Sequence, residues 1–136
     1  GARPEDPGAG AAGGTGFGML AWGATMSSGA RAIAETIGLP ASIASADLVI
    51  TGEGRFDGQS AGGKAPVEVL RLARSSGVPC ALVAGLIDAP PVGFDTAVSL
   101  SELAGSSAAS LADPVHWARE AGSRLALERW AAAGLG

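Results

Sequence analysis

The sequence predicts an α/β chain organised on a parallel sheet, and two observations carry that expectation. Asp47-Leu48-Val49-Ile50-Thr51 and Val78-Pro79-Cys80-Ala81-Leu82-Val83-Ala84 are short, largely apolar runs of strand length. Between them, Lys64 to Ser76 reads as a helix, with Pro66 near its first turn and Gly77 just past its end, the positions these two residues favour. Strands that are apolar throughout, joined through a helix, are the sequence form of a βαβ unit covered on both faces.

The flanking segments add helices. Ser28 stands where it can cap a helix whose apolar residues Ala30, Ile33, Ala34 and Ile37 repeat at helical spacing, and Gly38 and Pro40 end it. Residues 15–26 could form another short helix, which Gly16, Gly18 and Gly23 weaken. Thr96-Ala97-Val98-Ser99-Leu100 reads as a third, more polar strand, and residues 101–112 as a small-residue loop or irregular helix. Asp113-Pro114 then opens a last helix to about Ala133, the aspartate as cap and the proline at the first helical position. Val115, Ala118, Gly122 and Leu125 would form its docking face.

Composition removes several functional classes. With 22 glycines, 29 alanines, three Phe, three Trp and no Tyr, the core must rest on close backbone packing rather than on aromatic bulk. A net charge of −4, with one lysine and eight scattered arginines, argues against nucleic-acid binding, which needs clustered cations to neutralise phosphates. No run approaches the ~18–20 apolar residues that span a bilayer. The lone Cys80 excludes a disulfide framework and a cysteine zinc cluster, and reads as a small buried hydrophobe. His116 is the only histidine; it reads as a surface residue, so a catalytic triad or histidine metal site has no support. The chain begins at Gly1 in a Gly/Ala/Pro-rich loop, which leads to the expectation of a fragment of a longer protein.

The densest polar cluster follows the first predicted strand: Thr51-Gly52-Glu53-Gly54-Arg55-Phe56-Asp57-Gly58-Gln59-Ser60-Ala61-Gly62-Gly63-Lys64. In parallel sheets, ligands bind beyond the carboxyl ends of the strands. Glycine lets backbone N–H groups close around an oxyanion, and the following helix start adds N–H donors and partial positive charge. The segment therefore suits a phosphate or carboxylate; the alternative is a solvated loop whose charges pair with one another. A connection of twelve residues is long for a βα turn, which favours a functional role. Gly58 to Lys64 matches the phosphate-loop spacing, but Ala65 stands where a magnesium-binding Ser or Thr belongs. Gly8-Ala9-Gly10-Ala11-Ala12-Gly13 matches a dinucleotide fingerprint without a preceding strand, so that match is discounted as well.

Three separated motifs stand out: Pro7-Gly8-Ala9-Gly10-Ala11-Ala12-Gly13-Gly14, then Asp47 to Arg55, then Asp57-x-Gln59-Ser60-x-x-Gly63-Lys64-x-Pro66, with a Gly85 turn after the second strand. Their order and spacing closely resemble the first, bacterial D-glycerate kinase type of the glycerate kinase family. Phe56 departs from the smaller aliphatic residue common there. The resemblance spans essentially the whole chain and corresponds to the final third of the family. It implies a two-domain enzyme: residues 1–44 finish an inserted domain, and residues 45–136 are the carboxyl part of a Rossmann-like α/β domain. It further implies a cytoplasmic kinase that phosphorylates D-glycerate with ATP and magnesium, an oligomer being left open. The missing amino-terminal portion would leave this fragment inactive alone.

Residue roles under that resemblance follow from charge and position. Asp57 would serve as proton acceptor or as a magnesium-associated carboxylate, and Lys64 would contact phosphate. Arg55 would hold the glycerate carboxylate or a phosphate, with Glu53, Gln59 and Ser60 orienting these groups. Gly8, Gly10, Gly13 and Gly14 would let a helix terminus approach the ligand, and Gly63 the loop backbone. The rival reading is a standalone phosphate- or nucleotide-binding α/β module without catalysis.

Overall fold

In the computed structural model, which describes residues 1–58 and 64–132, helices precede and follow a three-stranded sheet. The order is α1 (Ala11–Ala21), α2 (Gly29–Thr36), α3 (Leu39–Ala44), β1 (Val49–Phe56), α4 (Ala65–Ser75), β2 (Cys80–Ile87) and β3 (Thr96–Ser99). Then come α5 (Leu100–Ala104), α6 (Ser107–Ala112) and α7 (Pro114–Ala132). The strands run parallel in the order β1-β2-β3, as the apolar strand–helix–strand pattern predicts.

Alternation along β2 sends successive side chains to opposite faces, and each face is covered. Cys80 and its register partner Val49 pack with Leu70, Leu72 and Ala73 of α4, together with Ala34 of α2 and Ile43 of α3. Ala81 and Val98 pack on the opposite side with Ala121 and Leu125 of α7. The docking face of α7 is thus the Ala121–Leu125 line; Val115, Ala118 and Gly122 are exposed. Leu125 is buried as the predicted face has it, whereas Ala121 takes the place of Gly122, and Leu100 and Leu103 of α5 pack against the same cluster.

Local chemistry sets the helix ends. Ser28 accepts the Arg31 N–H at 3.5 Å and Asp113 accepts the His116 N–H at 3.2 Å, both as predicted caps. Pro40 does more than end a helix: after the left-handed Gly38 it starts α3, where a proline costs no hydrogen bond. Residues 101–112 form two short helices joined through Gly105 and Ser106, and capped by Ser99 and Ser106. The first helix begins at Ala11 rather than at residue 15 and is kinked where Ala12, Gly13 and Gly14 take positive φ.

From β2 to β3 the chain returns without a helix. Pro90 and Pro91 favour an extended path, and Phe94 lands edge-on against Phe56, centroids 5.8 Å apart. Asp95 then fastens the crossover to the start of β2: its N–H donates to the Cys80 carbonyl at 2.9 Å, and its carboxylate accepts the Cys80 N–H at 2.8 Å.

The main departure from the sequence expectation is β1, which continues to Phe56 instead of stopping at Thr51. Gly52 and Gly54 lower strand propensity, yet pairing with β2 runs on through Arg55↔Leu86 and Phe56↔Ile87; tertiary pairing overrides the local preference. Gly85 likewise is no turn but lies inside β2. Here the two backbones nearly touch. A Cβ on Gly52 would sit 2.0 Å from the Val83 carbonyl oxygen, and one on Gly85 would sit 2.5 Å from that of Gly54. Only glycine fits. Behind β2, the Ser101 hydroxyl donates to the Gly85 carbonyl at 2.6 Å and lies 3.0 Å from Ser107 Oγ. Its single proton being spent, Ser101 accepts from Ser107, which ties α5 and α6 to the glycine contact.

Gly52→Ala is therefore expected to lower unfolding free energy by about 1–3 kcal/mol, the usual cost of overpacking. Gly122→Ala, on an exposed helical position with open space around it, should raise it by roughly 0.5–1 kcal/mol; denaturant melts of both variants compare the two. Burial, with the Asp95 charge adding to it, pushes the Cys80 thiol up to about 11. Because the folded value lies above the unfolded one, the stabilising effect is complete at neutral pH. It falls once pH passes the ordinary thiol value near 9 and is lost through about 11. Denaturant midpoints of Cys80→Ala and the parent across that range should converge as pH rises.

Candidate functional site

The carboxyl edge of the sheet gathers charge from three elements. β1 presents Glu53 and Arg55, in register with Ala84 and Leu86 of β2. Asp57 follows β1 directly, Lys64 occupies the cap position of α4, and Asp88 follows β2 directly. The polar segment expected as a loop from Thr51 thus begins inside the strand, because Glu53 and Arg55 belong to β1.

Lys64 stands between two carboxylates. Its Nζ lies 3.8 Å from Glu53 Oε2 and 3.7 Å from Asp57 Oδ1, distances of ion pairing rather than hydrogen bonding. The Glu53 side chain is only 17% exposed, and its Oε1 is buried with no hydrogen-bond partner among the described residues. A buried carboxylate oxygen left unpaired is costly, so it calls for an explanation such as a catalytic role, a water or an ion. Arg55 pairs with Asp88 instead of with the Lys64 group.

The start of α4 is less open than its sequence suggests. Pro66 carries no N–H, and those of Val67 and Glu68 bond the Lys64 carbonyl at 3.1 and 3.3 Å. The helix end therefore contributes its dipole and the Lys64 ammonium more than a set of free donors. Glu68, in the first turn, is held below the usual carboxylate range by hydrogen bonds from Arg71, so it stays an ionised partner rather than a proton donor. Beside Asp57, a cavity of about 250 Å³ has apolar walls from Phe56, Val67, Leu70, Val92 and Phe94.

Of the predicted site residues, Glu53, Arg55, Asp57 and Lys64 converge at this edge. Gln59, Ser60 and Gly63 lie outside the described residues. Gly8, Gly10, Gly13 and Gly14 form the entry to α1, with positive φ at Gly8, Gly13 and Gly14 and Gly10 at the cap position. The backbone bonds around them run locally, among them Ala11 N–H to Gly8 O and Phe17 N–H to Ala9 O. One residue was missed. Asp88 is an acid placed one residue past a strand end, and applying the strand-end rule to the second strand as well as the first finds it.

Among the described residues no group of three or more His, Cys, Asp or Glu could hold a metal by itself. Magnesium is commonly held by one or two carboxylates completed by substrate phosphates, and Asp57 beside the unpartnered Glu53 oxygen fits that pattern. His116 is exposed, stacked edge-on against Trp117, and no described helix is long and apolar enough to cross a membrane.

Fold and site together define an α/β protein with a mixed-charge edge at the carboxyl ends of parallel strands. The family model for the glycerate kinase family matches residues 2–129, and the chain belongs to that family. It is 42% identical over 113 residues to an uncharacterized protein of Mycobacterium bovis, covering 79% of this chain and 30% of that one. It is 44% identical over 80 residues to the glycerate 2-kinase of Escherichia coli K12, covering 58% and 21%. A Salmonella typhimurium LT2 crystal structure assigned as glycerate kinase 2 superposes with a TM-score of 0.56 at 34% identity, over 86% of this chain and 34% of that one. The chain thus spans about a fifth to a third of the length of these relatives.

Proposed function

We propose that this chain forms part of a cytoplasmic kinase that transfers phosphate from ATP to D-glycerate. The observation that carries the reading is the Lys64 ammonium set between Glu53 and Asp57 at the strand ends, with Glu53 Oε1 lacking a partner among the described residues, in a member of the glycerate kinase family. Magnesium-bound ATP would supply the phosphoryl group and offset part of its charge. Phosphoryl transfer asks the protein mainly for positioning and charge stabilisation.

Each role follows from placement. Asp57 would accept the proton of the attacking hydroxyl or help hold magnesium if that ion is bound; its position directly after β1 allows either. Lys64 neutralises phosphate oxygens, its approach directed by Glu53 on one side and Asp57 on the other. Arg55 offers a guanidinium fork, whose geometry matches a carboxylate, to glycerate. Gln59, Ser60 and Gly63 complete the loop around the ligand, and the glycines at positions 8, 10, 13 and 14 bring the α1 entry toward it. Residues 1–44 would close an inserted domain and residues 45–136 would form the carboxyl part of a Rossmann-like one. Since the relatives are nearly three times as long, we expect residues 1–136 alone to be inactive. An assay of this segment with ATP, magnesium and D-glycerate should show no turnover.

In the intact protein, Asp57→Asn and Lys64→Met should each reduce kcat/KM by a factor of at least 100, the usual range for losing a proton acceptor or a charge contact in the transition state. Steady-state kinetics with D-glycerate check it. If both variants kept turnover within a factor of about three, the Glu53–Lys64 edge would be structural and the assignment would fall.

A further inference from the structure

We propose that Asp88 is a positioning residue, setting the Arg55 guanidinium for an anionic group of the substrate; this rests on the reading of the edge as a glycerate-phosphorylating site. The grip is double. The Asp88 carboxylate takes an Nη of Arg55, and the Asp88 N–H donates to the carbonyl of Phe56 at 2.8 Å. Two consecutive residues of β1 are thereby held by one residue beyond β2. Immediately before this point, the Gly54–Gly85 contact brings the strands too close for any Cβ on Gly85. Asp88 is therefore carried to Arg55 by backbone geometry and not by the chance reach of two long side chains.

Stability gives little reason for the pair. The Arg55 side chain is 62% exposed and that of Asp88 36%, and ion pairs so open to water contribute at most about 1 kcal/mol. Placement gives a better one. Lys64 is engaged by Glu53 and Asp57, so Arg55 is the cation of this edge that those two carboxylates do not occupy. A guanidinium has five N–H donors, and one bond to Asp88 leaves the fork able to receive an anion while its orientation is kept. Without Asp88, a long side chain at that exposure would sample many rotamers, and the ordering would fall on the transition state.

The test uses the intact protein with Asp88→Asn, Asp88→Glu and Arg55→Lys. Asparagine keeps the shape and the N–H to Phe56 but removes a negative charge. Charge alone would then favour substrate binding, whereas lost orientation slows turnover, and the two effects separate in the kinetics. We expect Asp88→Asn to lower kcat about tenfold with KM unchanged or lower. Asp88→Glu should recover most of that loss, and Arg55→Lys should not behave as the parent because lysine has no fork. The melting temperature should move by less than about 3 °C. The Arg55 Nε–H resonance should be resolved in the parent protein and averaged in Asp88→Asn. Turnover of Asp88→Asn within a factor of two of the parent overturns the inference, as does an Arg55 resonance indifferent to the substitution. If the parent protein turned over no D-glycerate, the functional reading would fail, and the Arg55 resonance would still decide whether Asp88 holds the guanidinium.

Discussion

The near contact of β1 and β2 through glycine is the constraint on which the rest of the structure depends. Parallel strands ordinarily keep side chains between themselves and their surroundings, but at Gly52 against Val83 and at Gly85 against Gly54 the backbones themselves meet. The pairing continues past that contact to Phe56 and Ile87. It places Glu53 and Arg55 on a strand instead of in a loop, and it brings Asp88 over the end of β1. Side chains on paired strands are held more firmly than side chains on a glycine-rich connection. The serine relay from Ser107 through Ser101 to the Gly85 carbonyl braces the same point from the helical layer behind.

The cost of this arrangement is electrostatic. Three carboxylates, Glu53, Asp57 and Asp88, share an edge with two cations, Lys64 and Arg55, and each cation is engaged within the set. A site for anions that carries this much acid binds weakly by charge alone, so selectivity must come from geometry and from what accompanies the ligand. A divalent cation arriving with phosphates suits such an edge, since it supplies positive charge that the protein lacks and offers Glu53 Oε1 a partner.

Much of this was legible in the residues. The strand–helix–strand order, the caps at Ser28 and Asp113 and the buried Cys80 all follow from short-range rules, and they match the structure because the local preferences agree with the tertiary packing. The polar segment from Glu53 to Lys64 was legible as chemistry but not as geometry. Glycine in a strand reads as a break when only propensity is consulted, so a strand ending at Thr51 is the local expectation for β1, and the turn at Gly85 that the family resemblance implies lies inside β2. On α7, Leu125 docks as its spacing predicts, but a helix with many small side chains has no strong apolar stripe, so the burial of Ala121 rather than Gly122 is not written locally.

By itself, the sequence determined the class of fold, the order of its elements and the residue types that can meet an anion, because periodicity, capping and charge are written locally. Only the tertiary structure decided which of those residues share an edge. Lys64 reaches Glu53 across the β1–α4 connection, and Arg55 reaches Asp88 across 33 positions of chain. No local rule fixes a pairing over that separation; it arises from the register of β1 on β2, and that register is set where glycine lets two backbones touch.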